Sequence, residues 1–303
     1  MSKQQAKTVC GARAKSCRVG NLAQSTIKSE CGKVIAVAKT TLSADADTMI
    51  DWNLVKKTTL WDYEELIEKM SGTFSYAFVQ ECYNHTMKEA ADYVKRLLGY
   101  DQKHEKHVSR MISVFNTLDG LKTKNYSNLI SRVESKEKCE DFLRKTQLPF
   151  DDLICALNHI FRWVLPHNVY LRELIDTENE PQKNHIEGLR RHRIRFNLDV
   201  LEYGRTREDR EKLSKETGIP RSFIFDLVNL ADMSRLPYSN RKTVRHLSAG
   251  GYNSIAKLAQ TDSKKMMDTM KSYFDRIGVK LTGFIDLEGI AQWARTLPAI
   301  IED

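Results

Sequence analysis

From Trp61 onward the apolar positions of the chain recur three and four residues apart: Trp61, Leu66, Met70, Phe74, Phe78 and Cys82, then Ala90, Tyr93, Val94, Leu97 and Leu98. That spacing puts one apolar stripe on each of a series of helices. Gly99 sits where a helix would stop. Met111, Ile112, Val114, Phe115 and Leu118 predict a further helix ended by Gly120. Residues 120–127 read as a linker or an exposed helix start. Two features fall outside the helical pattern. The run Lys33-Val-Ile-Ala-Val-Ala favours a strand but has no visible mate, and residues 43–48 form a small polar break ahead of the folded body.

From residue 139 the pattern repeats itself at a constant offset of 71. Thr146 meets Thr217, Pro149 meets Pro220, Leu157 meets Val228, Asn158 meets Asn229, and Leu165-Pro166 meets Leu236-Pro237. The physical sense is a helix closed at Thr-x-x-Pro, with Pro opening the next helix and an apolar face following. A second echo sets Leu189, Ile194, Leu198 and Leu201 against Leu247, Gly251, Ile255 and Leu258 at an offset near 57. The change of offset places extra residues in one copy, and the polar stretch Asp176–Asn184 is the expected loop. Duplication of a helical unit signals tandem modules.

The stretches Arg210-Glu-Lys-Leu-Ser-Lys-Glu-Thr-Gly-Ile-Pro, Leu227-Val-Asn-Leu-Ala-Asp-Met-Ser-Arg-Leu and Leu247-Ser-Ala-Gly-Gly-Tyr-Asn-Ser-Ile-Ala-Lys-Leu-Ala-Gln, with the closing Ile290-Ala-Gln-Trp-Ala-Arg-Thr-Leu-Pro, carry a family likeness. The chain here resembles the helix-hairpin-helix-containing family known as domain of unknown function 4332, over about 171–303 with a weaker echo from 139. The resemblance implies an all-α fold of paired helix-hairpin-helix units. Nucleic-acid binding is implied only through the wider helix-hairpin-helix group, where a Gly-x-Gly turn brings backbone N–H groups onto a phosphate. This chain departs from that pattern. Its first hairpin, from Asp176, has no Gly and holds Asp176, Glu178 and Glu180; its second, Leu236-Pro-Tyr-Ser-Asn-Arg-Lys, also lacks Gly. Ser239, Asn240, Arg241, Lys242 and Arg245 remain as candidates for a side-chain phosphate contact. Arg190, Arg191, Arg193 and Arg195, the densest basic cluster of the body, read either as a phosphate-facing stripe or as a solvated helix end with partner salt bridges.

Charge sharpens the picture once it is located. The net charge is +8, and residues 1–40 hold eight Lys and Arg against the single acid Glu30, so the rest of the chain is nearly neutral. Residues 1–45 therefore read as an extended basic arm, with Arg13, Lys15 and Arg18 as its partner-facing cations. The bland alternative is a solvated tail. Its acid-free first 29 residues also have an organelle-targeting character, without the apolar core of a secretory signal. Six cysteines lack C-x-x-C spacing, which reads as free thiols in a reducing compartment, with Cys155 in the core. No apolar run is long enough for a membrane span. The expected compartment is intracellular, cytoplasmic by default or an organellar matrix if the arm is a targeting segment.

The search for chemistry returns little. Neither a nucleotide-binding glycine loop nor a nucleophile signature is present. His104 and His107 with Asp101 and Glu105, and Glu81 with His85, are too few for a metal centre; His159 reads as a satisfied core residue. Phe74, Tyr76, Phe78, Phe161 and Trp163 fit a core stripe better than a base-stacking platform. The expectation is an all-α, non-enzymatic chain without metal, cofactor or small-molecule substrate: arm 1–45, helical region 46–135, tandem helix-hairpin-helix-like modules 136–303. Its expected role is a helical adaptor or structural subunit with a protein assembly partner. The alternative is sequence-independent nucleic-acid binding through arm and modules.

Overall fold

The computed structural model describes residues 50–176, 178–237, 241–279 and 287–302. The chain divides into two units at Ala46/Asp47, and the described residues all belong to the second. The arm cations Arg13, Lys15 and Arg18, and the strand-favouring run from Lys33, lie outside the described residues. The fold is all-α. Among the described residues there is no strand, only two isolated antiparallel bridges, Thr86 to Asn125 and Tyr170 to Phe196.

The helices come in sets of three. The first set is α1 (Asn53–Thr59), α2 (Tyr63–Thr73) and α3 (Ala77–Tyr83). After an antiparallel pair, α4 (Met87–Leu98) and α5 (Glu105–Gly120), the set recurs as α6 (Tyr126–Arg132), α7 (Lys136–Thr146) and α8 (Phe150–His159). The connecting helices α9 (Leu171–Leu174) and α10 (Glu180–Arg191) lead to α11 (Asn197–Gly204), α12 (Arg207–Thr217) and α13 (Arg221–Met233). Finally α14 (Arg241–Ala249) precedes α15 (Ile255–Gln260), α16 (Ser263–Arg276) and α17 (Leu287–Thr296).

Local chemistry explains why the second and third sets match bond for bond. Ser135 and Thr206 cap α7 and α12 by accepting from the N–H of Lys138 and Asp209. At the far ends Thr146 and Thr217 each donate a hydroxyl hydrogen bond of 2.7 Å to the carbonyl four residues back. The next residues, Gln147 and Gly218, adopt left-handed backbone with φ 56° and 69°, and close the helices onto Leu143 O and Ser214 O. Pro149 and Pro220 then start α8 and α13 at φ −59° and −55°. The Thr-x-x-Pro signal is thus one complete stop-and-restart device. The first set keeps the threonine: Thr73 bonds Lys69 O, but Tyr76 stands where the proline would be.

A second device recurs ahead of three of the sets. The N–H of Thr123 bonds Leu118 O, that of Ile194 bonds Leu189 O, and that of Tyr252 bonds Leu247 O, at 3.0, 3.1 and 2.8 Å. In each, the residue before the donor is left-handed: Lys122, Arg193 and Gly251. This is a six-to-one helix ending, which turns the chain sharply into the next helix.

Three sequence expectations change here. Residues 120–127 are an ordered turn with Thr123 buried, not a linker, and the helix start expected there is α6, which opens on the buried Tyr126. The stretch Asp176–Asn184 is only partly loop, because Asn179 caps α10 and residues 180–184 are already helical. The second echo is also shifted by one residue: Ile194 corresponds to Tyr252 and Arg193 to Gly251, since periodicity alone cannot see which N–H closes the turn.

One continuous apolar core runs from Val55 to Leu297. Phe74, Phe78 and Phe161 are buried in it as expected, with Cys155; His159 is buried too, though its Nε2 is left without a partner, and Trp163 packs edge-on against Trp293 at 5.7 Å. Within the third and fourth sets the first helix packs on the third, α11 on α13 and α15 on α17. Gly204 permits the former approach, because a Cβ there would stand 2.9 Å from Val228 Cγ2. The first two sets are exchanged instead: α1 packs on α8 and α2 on α6, while α17 returns to α4.

Buried polar groups tie the sets together. The Arg235 guanidinium, fully buried, donates to the Asp232 carboxylate, the Tyr83 hydroxyl and Pro298 O, so it joins the first, third and fourth sets. Burial pushes the Asp232 carboxyl up in pKa, against the pull of Arg235. Asn197 donates to His167 O and Ser234 Oγ, and accepts from Val169 N. Arg210 donates to the carbonyls of Gly204, Arg205 and Glu302, which pins the C-terminal segment to α12.

Candidate partner-binding surface

The basic cluster read from the sequence is placed by the turn that joins α10 to α11. Arg190 and Arg191 end α10, Arg193 occupies the left-handed position at φ 66°, and Arg195 follows; all four side chains are exposed. The backbone beneath them is firmly held. Leu171 N donates to Arg195 O, Asn197 N donates to Val169 O, and the Asp199 carboxylate accepts from the N–H of both Arg195 and Phe196. The other oxygen of Asp199 accepts from the Tyr76 hydroxyl at 2.8 Å. Arg190 reaches back to Glu187 at 3.2 Å, as helix residues three apart do.

The bridge between Tyr170 and Phe196 brings two aromatic rings onto this surface. Their centroids are 4.7 Å apart, Tyr170 is 47% exposed, and the Arg172 guanidinium lies over its ring at 5.2 Å. Arg172, Tyr170 and Phe196 were not singled out by the sequence. Phe196 directly follows Arg195, but Tyr170 and Arg172 lie 21 to 25 residues before Arg193 and Arg195, and the bridge that unites them leaves no periodic signal.

Residues 182–296 match the model of a domain of unknown function (DUF4332). The matched segment starts inside α10, contains the arginine turn and runs to the end of α17. No curated protein and no solved structure matches the chain. Tyr170 and Arg172 precede the DUF4332 segment, so the surface straddles its beginning.

The second set of candidate contacts, also inside the DUF4332 segment, lies elsewhere. Lys242 and Arg245 are exposed on α14, and Arg245 stands 3.9 Å from Asp176. Asp176 precedes the start of α10, whereas Arg190 and Arg191 end it, so the two basic groups are separated by the length of that helix, roughly 18 Å. Ser239 and Asn240 lie outside the described residues, as does the side chain of Arg241.

Carboxylates already occupy several helix starts. At α4, Thr86 and Glu89 form a reciprocal capping box. Glu202 accepts from Ala77 N and Phe78 N at the start of α3, and Glu302 accepts from Arg207 N at the start of α12. A phosphate approaching these N–H groups would meet a negative charge in place of an open cradle.

The histidines form no accessible centre. His107 Nε2 lies 3.0 Å from His159 Nδ1, with His159 buried and its Nε2 without a partner. Burial, then the charges of His104 and Arg110, lowers His107 to about 4, and burial holds His159 well below the usual value. His85 packs on Tyr93 and Tyr126, while Glu81 pairs with Arg205 at 3.8 Å. Among the described residues no three His, Cys, Asp or Glu side chains come together as a metal site. Two shallow clefts lie on the DUF4332 segment. One of about 360 Å³ is lined by Asp226, Leu230, Ser248, Gly251, Asn253 and Lys257; the other, about 320 Å³, by Arg210, Arg221, Ser222 and Phe225. Among the described residues no helix is long and apolar enough to cross a membrane.

Proposed function

We propose that this chain is a non-enzymatic helical adaptor or structural subunit, built from tandem helix-hairpin-helix-like modules and anchored in a larger intracellular assembly by its basic N-terminal arm. The observation that carries this reading is the use of the buried polar groups. Arg235, with Asp232 and Tyr83, joins the first, third and fourth sets, Asn197 and Ser234 tie α11 to α13 and to the segment at His167 and Val169, and none of them lines either cleft. A chain that stiffens itself in this way offers fixed outer surfaces, which is what an assembly subunit needs. The repeated devices at Thr146 and Thr217 support a duplicated unit.

The alternative, phosphate binding at the hairpins, is weakened at the first of them, where Asn179 already accepts from Gln182 N at the start of α10 and the acids Glu178 and Glu180 flank it. Native-gel fractionation of cell extract with full-length chain, and with a variant lacking residues 1–45, tests the adaptor reading. Full-length protein is expected to migrate with a complex much larger than its own 35.0 kDa, and the truncated variant to fall to monomer size. Migration of the full-length chain as a free monomer would overturn it.

A further inference from the structure

The fold makes the same left-handed helix ending at Lys122, Arg193, Gly251 and Gly278, and comparison of the three that stand ahead of α6, α11 and α15 isolates what the arginines do. Aligned through their closing hydrogen bonds, Arg190, Arg191, His192, Arg193, Ile194 and Arg195 correspond to Asp119, Gly120, Leu121, Lys122, Thr123 and Lys124 at the α5–α6 turn. At the α14–α15 turn the corresponding residues are Ser248, Ala249, Gly250, Gly251, Tyr252 and Asn253, with no charge. The backbone therefore forms without arginine, and glycine is the easier choice at its left-handed position. Four arginines at the α10–α11 turn are surplus to folding.

Their setting indicates the ligand. Arg191, Arg193 and Arg195 alternate along the chain, so successive anchors are at most roughly 7 Å apart, a pitch that an extended single strand can follow. Beside them Tyr170, half-exposed and packed on Phe196, supplies a ring with the guanidinium of Arg172 near it. Exposed aromatics flanked by guanidinium groups suit unpaired bases and the phosphates between them. The nearby acids are engaged: Asp199 by two backbone N–H groups and the Tyr76 hydroxyl, Glu187 by Arg190. An acidic peptide would use the charges but leave the aromatic pair idle.

We propose that the surface formed by Arg172, Tyr170, Phe196, Arg191, Arg193 and Arg195 binds single-stranded nucleic acid, through phosphate contacts and a base stacked at Tyr170. This goes beyond the adaptor reading and fails or stands separately from it, since fractionation tests the one and titration the other.

The test is anisotropy of labelled 20-mers of U and of dT against the full chain over a salt series. Arg191→Gln, Arg193→Gln and Arg195→Gln together should weaken binding on the order of 10- to 100-fold and flatten the salt slope by about 2, as expected for three lost single-strand phosphate contacts. A control removing equal charge elsewhere, Lys264→Gln, Lys265→Gln and Lys271→Gln on exposed positions of α16, should change binding by less than about twofold if contacts there are absent. Tyr170→Ala should cost roughly fivefold or more, and Tyr170→Phe should restore it. Equal losses in the two triple variants would mean diffuse charge attraction and overturn the proposal. So would absence of binding at 50 mM salt (about the low end of the range in which such contacts are strongest). No loss in Tyr170→Ala would also overturn it, as would a patch variant that loses poly-glutamate but keeps both oligonucleotides; the latter result would assign the surface to an acidic protein.

Discussion

The α5–α6 and α10–α11 turns share a backbone and differ in almost everything attached to it. Both close a helix onto a leucine carbonyl five residues before the donor, and both place a long cationic side chain at positive φ. In the first, a polar residue fills the buried place while Lys122 and Lys124 stay exposed. Thr123 is buried, and its hydroxyl accepts from Arg132 at 2.7 Å, while Arg132 also stacks on Phe142. In the second, Ile194 fills the buried place and the arginines around it stay outside. The difference teaches that turn geometry and turn chemistry are set independently. Hydrogen bonding fixes the path of the chain, and the outward positions are left open for another use.

The frame that both turns share can be broken at Arg235. Arg235→Ala leaves the Asp232 carboxylate buried without its partner, and about 3–5 kcal/mol of stability should be lost. Urea unfolding followed by circular dichroism measures this. A loss below about 1 kcal/mol would mean that the sets do not depend on the interlock.

Acid should act on the α5 side of the comparison. His107, held at about 4 by burial, and His159, held well below its ordinary value by burial, are neutral in the folded chain, whereas in the unfolded chain each takes a proton near 6.5. Their folded pKa values are depressed, so the unfolded state binds more protons as pH falls below about 6.5. The stability present at pH 7 is then lost progressively toward pH 4. His107 contributes about 1.4 kcal/mol per pH unit across that window, so a drop to pH 5 should cost about 2 kcal/mol from His107, and His159 adds a loss of the same sign. Melting temperature against pH checks the sign, and His159→Gln should flatten the dependence.

Smaller changes test whether the three turns are equivalent. Lys122→Gly and Arg193→Gly should each stabilise by about 1 kcal/mol, because glycine carries no Cβ into the left-handed region. Gly251→Ala should destabilise by a similar amount, from backbone strain alone, since a Cβ there meets nothing within 4 Å. Opposite responses at Lys122 and Arg193 in thermal melts would show that the shared hydrogen bonds hide different local energetics. The smallest effect is expected from giving the α10–α11 turn the other turn's residues. Arg190→Asp, Arg193→Lys and Arg195→Lys together should move stability by no more than about 0.5 kcal/mol, since these side chains are exposed.

Much of the fold was legible before the structure. Thr146, Pro149, Thr217 and Pro220 marked real helix ends and starts because each device is completed within a few residues. The all-helical class followed from apolar spacing, which the buried faces of α4, α5 and α13 repeat. The register of the second echo was not legible. Gly251 looks like a match for Ile194 on a residue count, yet the closing N–H belongs to Tyr252. The first set was missed as well, because Tyr76 replaces the proline and Phe74 the left-handed residue, which removes the two strongest markers.

The candidate surface divides in the same way. Arg190, Arg191, Arg193 and Arg195 stand out in any reading of the sequence, since they are neighbours in the chain. Tyr170 and Arg172 joined them only through the bridge to Phe196, and the exchange of α1 onto α8 and the span from Tyr83 to Arg235 depend on contacts 152 residues apart or on whole helices. What the sequence by itself determined about this protein is the class of its helices, where several of them stop, and where its charge is concentrated, all of which short-range hydrogen bonds and local composition decide. Which sets pack together, which polar groups are buried between them, and which aromatic rings stand beside the arginines were decided by the tertiary structure, because packing brings together residues between which the chain's periodicity carries no relation.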